Sequence, residues 1–199
     1  MMGRKQEGDK YLQYPTLDQM EEEISRLKYR KRYGRALRGT VYSLAVVAAV
    51  AILVATLWMP VLQITGASMA PTLVDGQFVV SVKKSEFQTG DITAFYYNNK
   101  ILIKRVIASA GDWVDISENG DVYVNGVLLE EPYIKEKSLG ECNIEFPYQV
   151  PDGKVFVMGD DRAVSLDSRT TAVGPVSKEQ VLGRVVFRVW PLSAFGRVE

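Results

Sequence analysis

The chain has 199 residues, 47% of them apolar, with 24 basic and 24 acidic side chains and no histidine. That length suits one modest domain with appendages, and zero net charge argues against a nucleic-acid binder, which normally carries a basic excess. The absent histidine excludes Ser-His-Asp and Cys-His catalysis and Cys₂His₂ zinc sites, and the single cysteine, Cys142, excludes an intramolecular disulfide.

Charge is distributed unevenly along the chain. Residues 1–39 hold ten Lys/Arg against six Asp/Glu, residues 63–199 hold fourteen against eighteen, and nothing between Arg38 and Asp75 is charged. Residues 1–14 are polar and are expected to be disordered. Thr16 and Gln19 then have capping-box spacing, and Leu17, Met20, Ile24 and Leu27 recur at helical period. Residues 16–38 therefore read as an amphipathic, increasingly basic juxtamembrane helix, too short in pattern for a coiled coil.

Val41 to Leu62 is a run of 22 uncharged residues. As a helix rising ~1.5 Å per residue it would cover about 33 Å, close to the hydrocarbon thickness of a bilayer. Tyr42 and Trp58 lie near its ends, where aromatic rings favour the interface, and Pro60 marks the expected exit. A buried soluble helix is the competing reading; the run is too long and too uniformly apolar for it. Seven Lys/Arg between Arg26 and Arg38 predict a cytoplasmic N-terminal side and an external C-terminal side. The length of the leading segment and of the apolar run favours an uncleaved anchor over a cleaved signal peptide.

Beyond Ile64 the texture becomes that of strands. Phe78–Val82, Ile92–Tyr97, Ile101–Ile107, Trp113–Ile116, Val122–Val124, Val155–Met158 and Val181–Val189 are short runs rich in Val, Ile, Phe and Tyr. Asn119-Gly120 and Asn125-Gly126 are hairpin turn signals. Residues 129–152 hold three prolines and few strand signals. The expected fold is mainly β, a barrel-like or packed-sheet domain with a loop-rich inserted lobe. The expected domains are a basic cytoplasmic segment (1–39), a transmembrane helix (40–62) and an extracytoplasmic β-rich domain (63–199) with an insertion at about 108–154.

Four segments carry candidate chemistry. Gly66-Ala67-Ser68-Met69-Ala70-Pro71-Thr72-Leu73 sets a serine between small residues; by itself it reads as an ordinary loop. In Leu102-Ile103-Lys104-Arg105-Val106-Ile107, strand alternation puts Lys104 on one face with Leu102 and Val106. Such a lysine is either a solvated edge residue or buried, and burial would lower its pKa toward a usable base. The segment from Val157 through Gly159, Asp160, Asp161, Arg162, Ser165 and Asp167 to Arg169 is a dense polar loop after an apolar strand. Gly183 to Leu192 reads as a closing structural strand.

Taken together, these segments resemble the bacterial type I signal peptidases, in the single-span form of Gram-positive type. The resemblance runs from about Ile64 to Leu192 in the family's order, and includes the preceding anchor. It rests on Ser-Met-x-Pro-Thr-Leu, Lys-Arg-Val-Ile and Gly-Asp-x-Arg-x-x-Ser-x-Asp-Ser-Arg, three motifs that are specific in combination. It implies Ser68 as nucleophile and Lys104 as general base, with the Ser68 backbone N–H contributing to an oxyanion hole. It implies Ser165 as the hydroxyl that orients the lysine, with Asp160, Asp167 and Arg169 in support. Ile64, Leu73, Val79 and Ile103 match positions lining shallow pockets for small side chains, which implies cleavage after Ala-x-Ala. The implied partners are preprotein signal peptides and the lipid bilayer, without nucleic acid, metal or cofactor.

The chain departs from the family pattern in places. Asp161 stands where Asn is usual, Ala163-Val164 replace polar residues, Ala108 to Asp112 differ from Gly-x-Pro-Gly-Asp, and Gly174 lies two positions late. Asp161 adds a negative charge expected to raise the Lys104 pKa. A catalytically silent membrane-tethered module would need none of Ser68, Lys104 and Ser165. A self-cleaving Ser–Lys repressor would need a DNA-binding helical region, which is missing here.

Overall fold

The structure, a computed structural model, describes residues 16–84 and 86–198. The expected disordered segment 1–14 lies outside the described residues. Helix α1 runs from Leu17 to Trp58, 42 residues, or about 63 Å at 1.5 Å per residue. The Thr16 N–H donates to Gln19 Oε1 at 3.1 Å, one half of the capping box. Arg26 pairs with Glu22 one turn away.

The helix continues unbroken across residue 39, where a boundary was expected. Its most apolar 18-residue stretch has a mean hydropathy of 2.4, long and apolar enough to cross a membrane. None of its described residues is buried. It ends at Trp58 rather than at 62. Pro60 has no N–H to donate and drives Met59 out of the α region, and Val61–Gln63 become the first strand instead.

The strands are β1 (Val61–Gln63), β2 (Phe78–Val82), β3 (Ile92–Tyr97), β4 (Lys100–Ser109), β5 (Trp113–Ile116), β6 (Val122–Val124), β7 (Val127–Leu128), β8 (Tyr148–Gln149), β9 (Lys154–Met158), β10 (Val176–Ser177), β11 (Val181–Trp190) and β12 (Gly196–Arg197). The larger sheet has the order β1-β2-β11-β3-β4-β9-β10, with β12 beside β11; the smaller is β7-β6-β5-β8. The expected mainly β fold is present, but neither sheet closes into a barrel, because both paths end on strands with a single partner.

The smaller sheet occupies the expected insertion. Its β6–β7 turn is Asn125-Gly126, both at positive φ (53° and 78°), the type I′ requirement for a two-residue hairpin. The loop after β7 lays Leu129, Leu139, Ile144 and Phe146 against a core of Ile107, Val114, Val122, Phe156 and Met158. A second core gathers Ile64, Met69, Leu73, Val79, Ile92 and Ala94, and a third gathers Phe95, Val106, Val155 and Val157.

Strand β4 is common to all three, through Ile103, Val106 and Ile107. It lies between β3 and β9, with Lys104 opposite Thr93 and Arg105 opposite Met158. Any residue on β4 is therefore held by packing from several sides. Phe156 is fully buried on the neighbouring strand. Phe156→Ala is expected to cost about 3–5 kcal/mol, read as a lower urea midpoint for the detergent-solubilised chain by near-UV circular dichroism.

Candidate active site

The segment from Ile64 to Gln77 is a closed loop between β1 and β2. Ile64 N–H donates to Gln77 O at 2.8 Å, and Gly76 N–H to Ile64 O at 3.0 Å. Met69 and Leu73 drop into the core beneath it, 2% and 0% exposed. Ser68 and Met69 are the central residues of a tight turn (Ala70 N–H to Ala67 O, 2.8 Å), and the burial of Met69 within it and of Leu73 after it fixes Ser68 in place. Gly66 adopts φ +91°, which an L side chain rarely takes, and its N–H is held by Asp75 Oδ1 at 2.7 Å. The Ser68 N–H, in contrast, donates to no group among the described residues.

Lys104 approaches Ser68 from β4. Its Nζ donates to Ser68 Oγ at 2.7 Å, and the residue is 2% exposed. Burial pulls the amine down to about 8 from 10.5. The charges acting on it are Asp167 and Asp160, which raise the value, and Arg169, which lowers it. Asp161, expected from the sequence to raise it, is not among them.

The loop after β9 supplies the support. Asp167 accepts from Arg169 Nε and Nη2, each at 2.9 Å, and from Gly159 N–H at 3.0 Å, with both side chains fully buried. Burial pushes the Asp167 carboxyl up, but the Arg169 bonds and charge and the Gly159 N–H outweigh it and hold it below the ordinary carboxylate value. Ser168 ties the loop to β9, accepting from Val157 N–H at 3.0 Å and donating to Gly174 O at 2.8 Å.

Asp160 turns to Arg105, accepting from Nε at 2.9 Å and Nη2 at 2.8 Å, and it also takes the Thr72 hydroxyl. The resemblance made Asp160 a neighbour of the Asp167–Arg169 pair; here it has an arginine of its own. Ser165 is 2% exposed beside Gly159, and its hydroxyl is among the groups that hold the Asp167 carboxyl down, though without a well-formed hydrogen bond. The implied bond from Ser165 to Lys104 is therefore not made in this structure; the lysine's hydrogen bond goes to Ser68.

The four pocket positions divide. Ile64 and Ile103 line a shallow pocket of about 90 Å³ together with Gly66, Ser68, Met69 and Leu102. Leu73 and Val79 are fully buried in the core behind it and do not reach its surface. β4 pairs with β9 only from Arg105 onward, so next to the pocket the strand has β3 as its one partner.

Several contributors were given no role from the sequence. Arg162 reaches Gly159 O through Nε at 3.0 Å and forms a buried ion pair with Glu131. Tyr133 donates to the same carboxylate at 2.9 Å, and the Arg105 guanidinium lies 3.8 Å over its ring. Arg169 also holds Leu139 O at 2.6 Å. These partners come from the insertion, some thirty residues away in sequence, and no local pattern signals them.

Gly159 is the tightest point. A Cβ there would overlap both the Ser165 side chain and the Ser68 carbonyl. Gly159→Ala is expected to displace the serine turn and lower turnover by about 100-fold, the scale of a 1 Å misplacement, with the melting temperature measured alongside.

The arrangement can do one piece of chemistry directly. It sets a hydroxyl against an amine whose pKa lies near the working range, in a site that among the described residues holds no group of metal ligands. Several known proteins have similar chains. The family model "Signal peptidase, peptidase S26" matches residues 37–190. The chain is 38% identical over 147 residues to a chloroplastic thylakoidal processing peptidase 1 of Arabidopsis thaliana, covering 65% of this chain and 42% of that protein, under half its length. It is 37% identical over 153 residues to a signal peptidase IB of Staphylococcus aureus, covering 66% of this chain and 78% of that one. A crystal structure of a signal peptidase I from Enterococcus faecalis superposes with a TM-score of 0.42 at 30% identity, covering 51% of this chain and 97% of that one. The family match alone spans more than three quarters of the sequence, and the chain belongs to the signal peptidase family, peptidase S26.

Proposed function

We propose that this protein is a membrane-anchored serine endopeptidase that removes signal peptides from exported preproteins after Ala-x-Ala sites. The observation that carries the reading is the 2.7 Å contact between Ser68 Oγ and a Lys104 amine that is 2% exposed and lowered to about 8. A solvated edge lysine would stay charged at neutral pH and could not accept a proton.

In the proposed reaction, neutral Lys104 takes the Ser68 proton as Oγ attacks the scissile carbonyl. The Ser68 N–H stabilises the oxyanion. Collapse to the ester breaks the peptide C–N bond, and the Lys104 ammonium returns its proton to the leaving amine. Water, deprotonated by the same amine, then hydrolyses the ester and restores the hydroxyl. The small volume beside Ile64 and Ile103 favours small side chains before the cut. The single-partnered stretch of β4 offers backbone groups to an extended peptide.

Helix α1 serves as the anchor in this reading, with its basic N-terminal part cytoplasmic and residues 63–199 outside. The lipid bilayer and the preprotein are the partners.

Two experiments test it. The kcat/KM for an Ala-x-Ala preprotein in detergent is expected to rise with pH through about 8, because only the unprotonated amine is a base. Ser68→Ala and Lys104→Ala should each cleave nothing above background at any pH; turnover in either variant rejects the dyad. Separately, external protease added to intact cells should degrade residues 63–199 and spare the basic N-terminal segment; the opposite pattern inverts the topology.

A further inference from the structure

A second cavity lies on the other side of the serine turn. It measures about 370 Å³ and is lined by Ala70, the segment Lys135–Ser138, and Asp160 to Ala163. The turn Ser68–Ala70 separates it from the small pocket beside Ile64 and Ile103: Ser68 and Met69 border the one, Ala70 borders the other. The Asp161 N–H donates to Ser68 O at 3.1 Å, so this cavity's wall is bonded directly to the nucleophilic residue.

An extended peptide whose residues before the cut fill that small pocket must leave across the turn. We infer that the second cavity receives the first residues of the mature chain, and that Asp161 makes it select for their charge. This rests on the dyad reading above and adds a specificity determinant to it.

The charge pattern singles out Asp161. The Asp160 carboxylate is taken by Arg105, Arg162 by Glu131, and Lys137 by Asp121. The side chains of Lys135, Glu136 and Asp161 have no hydrogen bond or ion pair among the described residues. Lys135 and Glu136 are exposed and adjacent, so their opposite charges largely cancel at a distance. Asp161 is half-buried and next to Ser68, which leaves an uncompensated carboxylate at the exit. Ala70 and Ala163 keep the cavity open in front of it. A cationic side chain entering there meets a partner; an anionic one meets repulsion in a partly desolvated site.

The test uses the full-length chain in detergent and three Ala-x-Ala peptides that differ only at the second residue after the cut: Lys, Ala or Glu. Wild type is expected to prefer Lys over Glu by about five-fold in kcat/KM, the scale of a half-exposed pair, and the preference should shrink in 1 M salt. Asp161→Asn should bring the Lys/Glu ratio to about one, and Lys135→Ala should raise it above the wild-type value. A wild-type ratio of one, or a ratio that neither variant moves, overturns the assignment. Failure to cut the Ala peptide in wild type would instead reject the dyad reading beneath it.

Discussion

Lys104 is an amine held at 2% exposure against a serine hydroxyl, with two carboxylates close enough to act on its charge. Burial alone disfavours the ammonium; an unpaired carboxylate nearby would restore it. The fold reconciles the two by giving each carboxylate an arginine. Asp167 is closed by Arg169 and Asp160 by Arg105, both through two-pronged contacts. The carboxylates still raise the lysine, but Arg169 works against them and desolvation wins, leaving the amine near 8.

That solution needs arginines to be buried as well, and buried arginines must be satisfied. Arg169 reaches carbonyls of Ser138, Leu139 and Arg162 besides Asp167, and Arg162 reaches Glu131 and Gly159 O. Such pairs add little net stability, because desolvation consumes most of the Coulomb gain. Their effect is geometric: each fixes one loop against another. The insertion thereby becomes part of the site without touching Ser68. Its Glu131, Tyr133, Ser138 and Leu139 hold the arginines that hold the loop after β9.

The same logic explains why β4 is the strand that bears Lys104. A lysine can be kept dry only where packing is dense on several sides, and β4 contributes to all three apolar cores. On the serine side, rigidity comes from the burial of Met69 and Leu73 together with the backbone bonds of the turn and the Asp161 N–H on Ser68 O. Gly159 lets the two halves meet, because only a hydrogen fits between Ser165 and the Ser68 carbonyl. Leu73 and Val79, which motif matching places in the pocket wall, instead form the floor beneath it.

The sequence by itself determined the long strands and the apolar helix, and the pairing of Ser68 with Lys104 was implied by its resemblance to the type I signal peptidases. Short runs rich in β-branched and aromatic residues between turn signals are a physical signature, so β2, β3, β5 and β6 were legible to the residue, and the absence of histidine excluded the histidine-based triads. Two-residue strands such as β7, β8, β10 and β12 have no period to read, and β1 was absorbed into the apolar run before it. Tertiary structure alone decided which arginine serves which carboxylate, which matched pocket residues reach the surface, and that the Lys104 hydrogen bond goes to Ser68 and not to Ser165. Arg105 and Asp160 are 55 residues apart, and Arg162 and Glu131 are 31 apart. Contacts at such separations arise from chain crossings, which local periodicity does not encode.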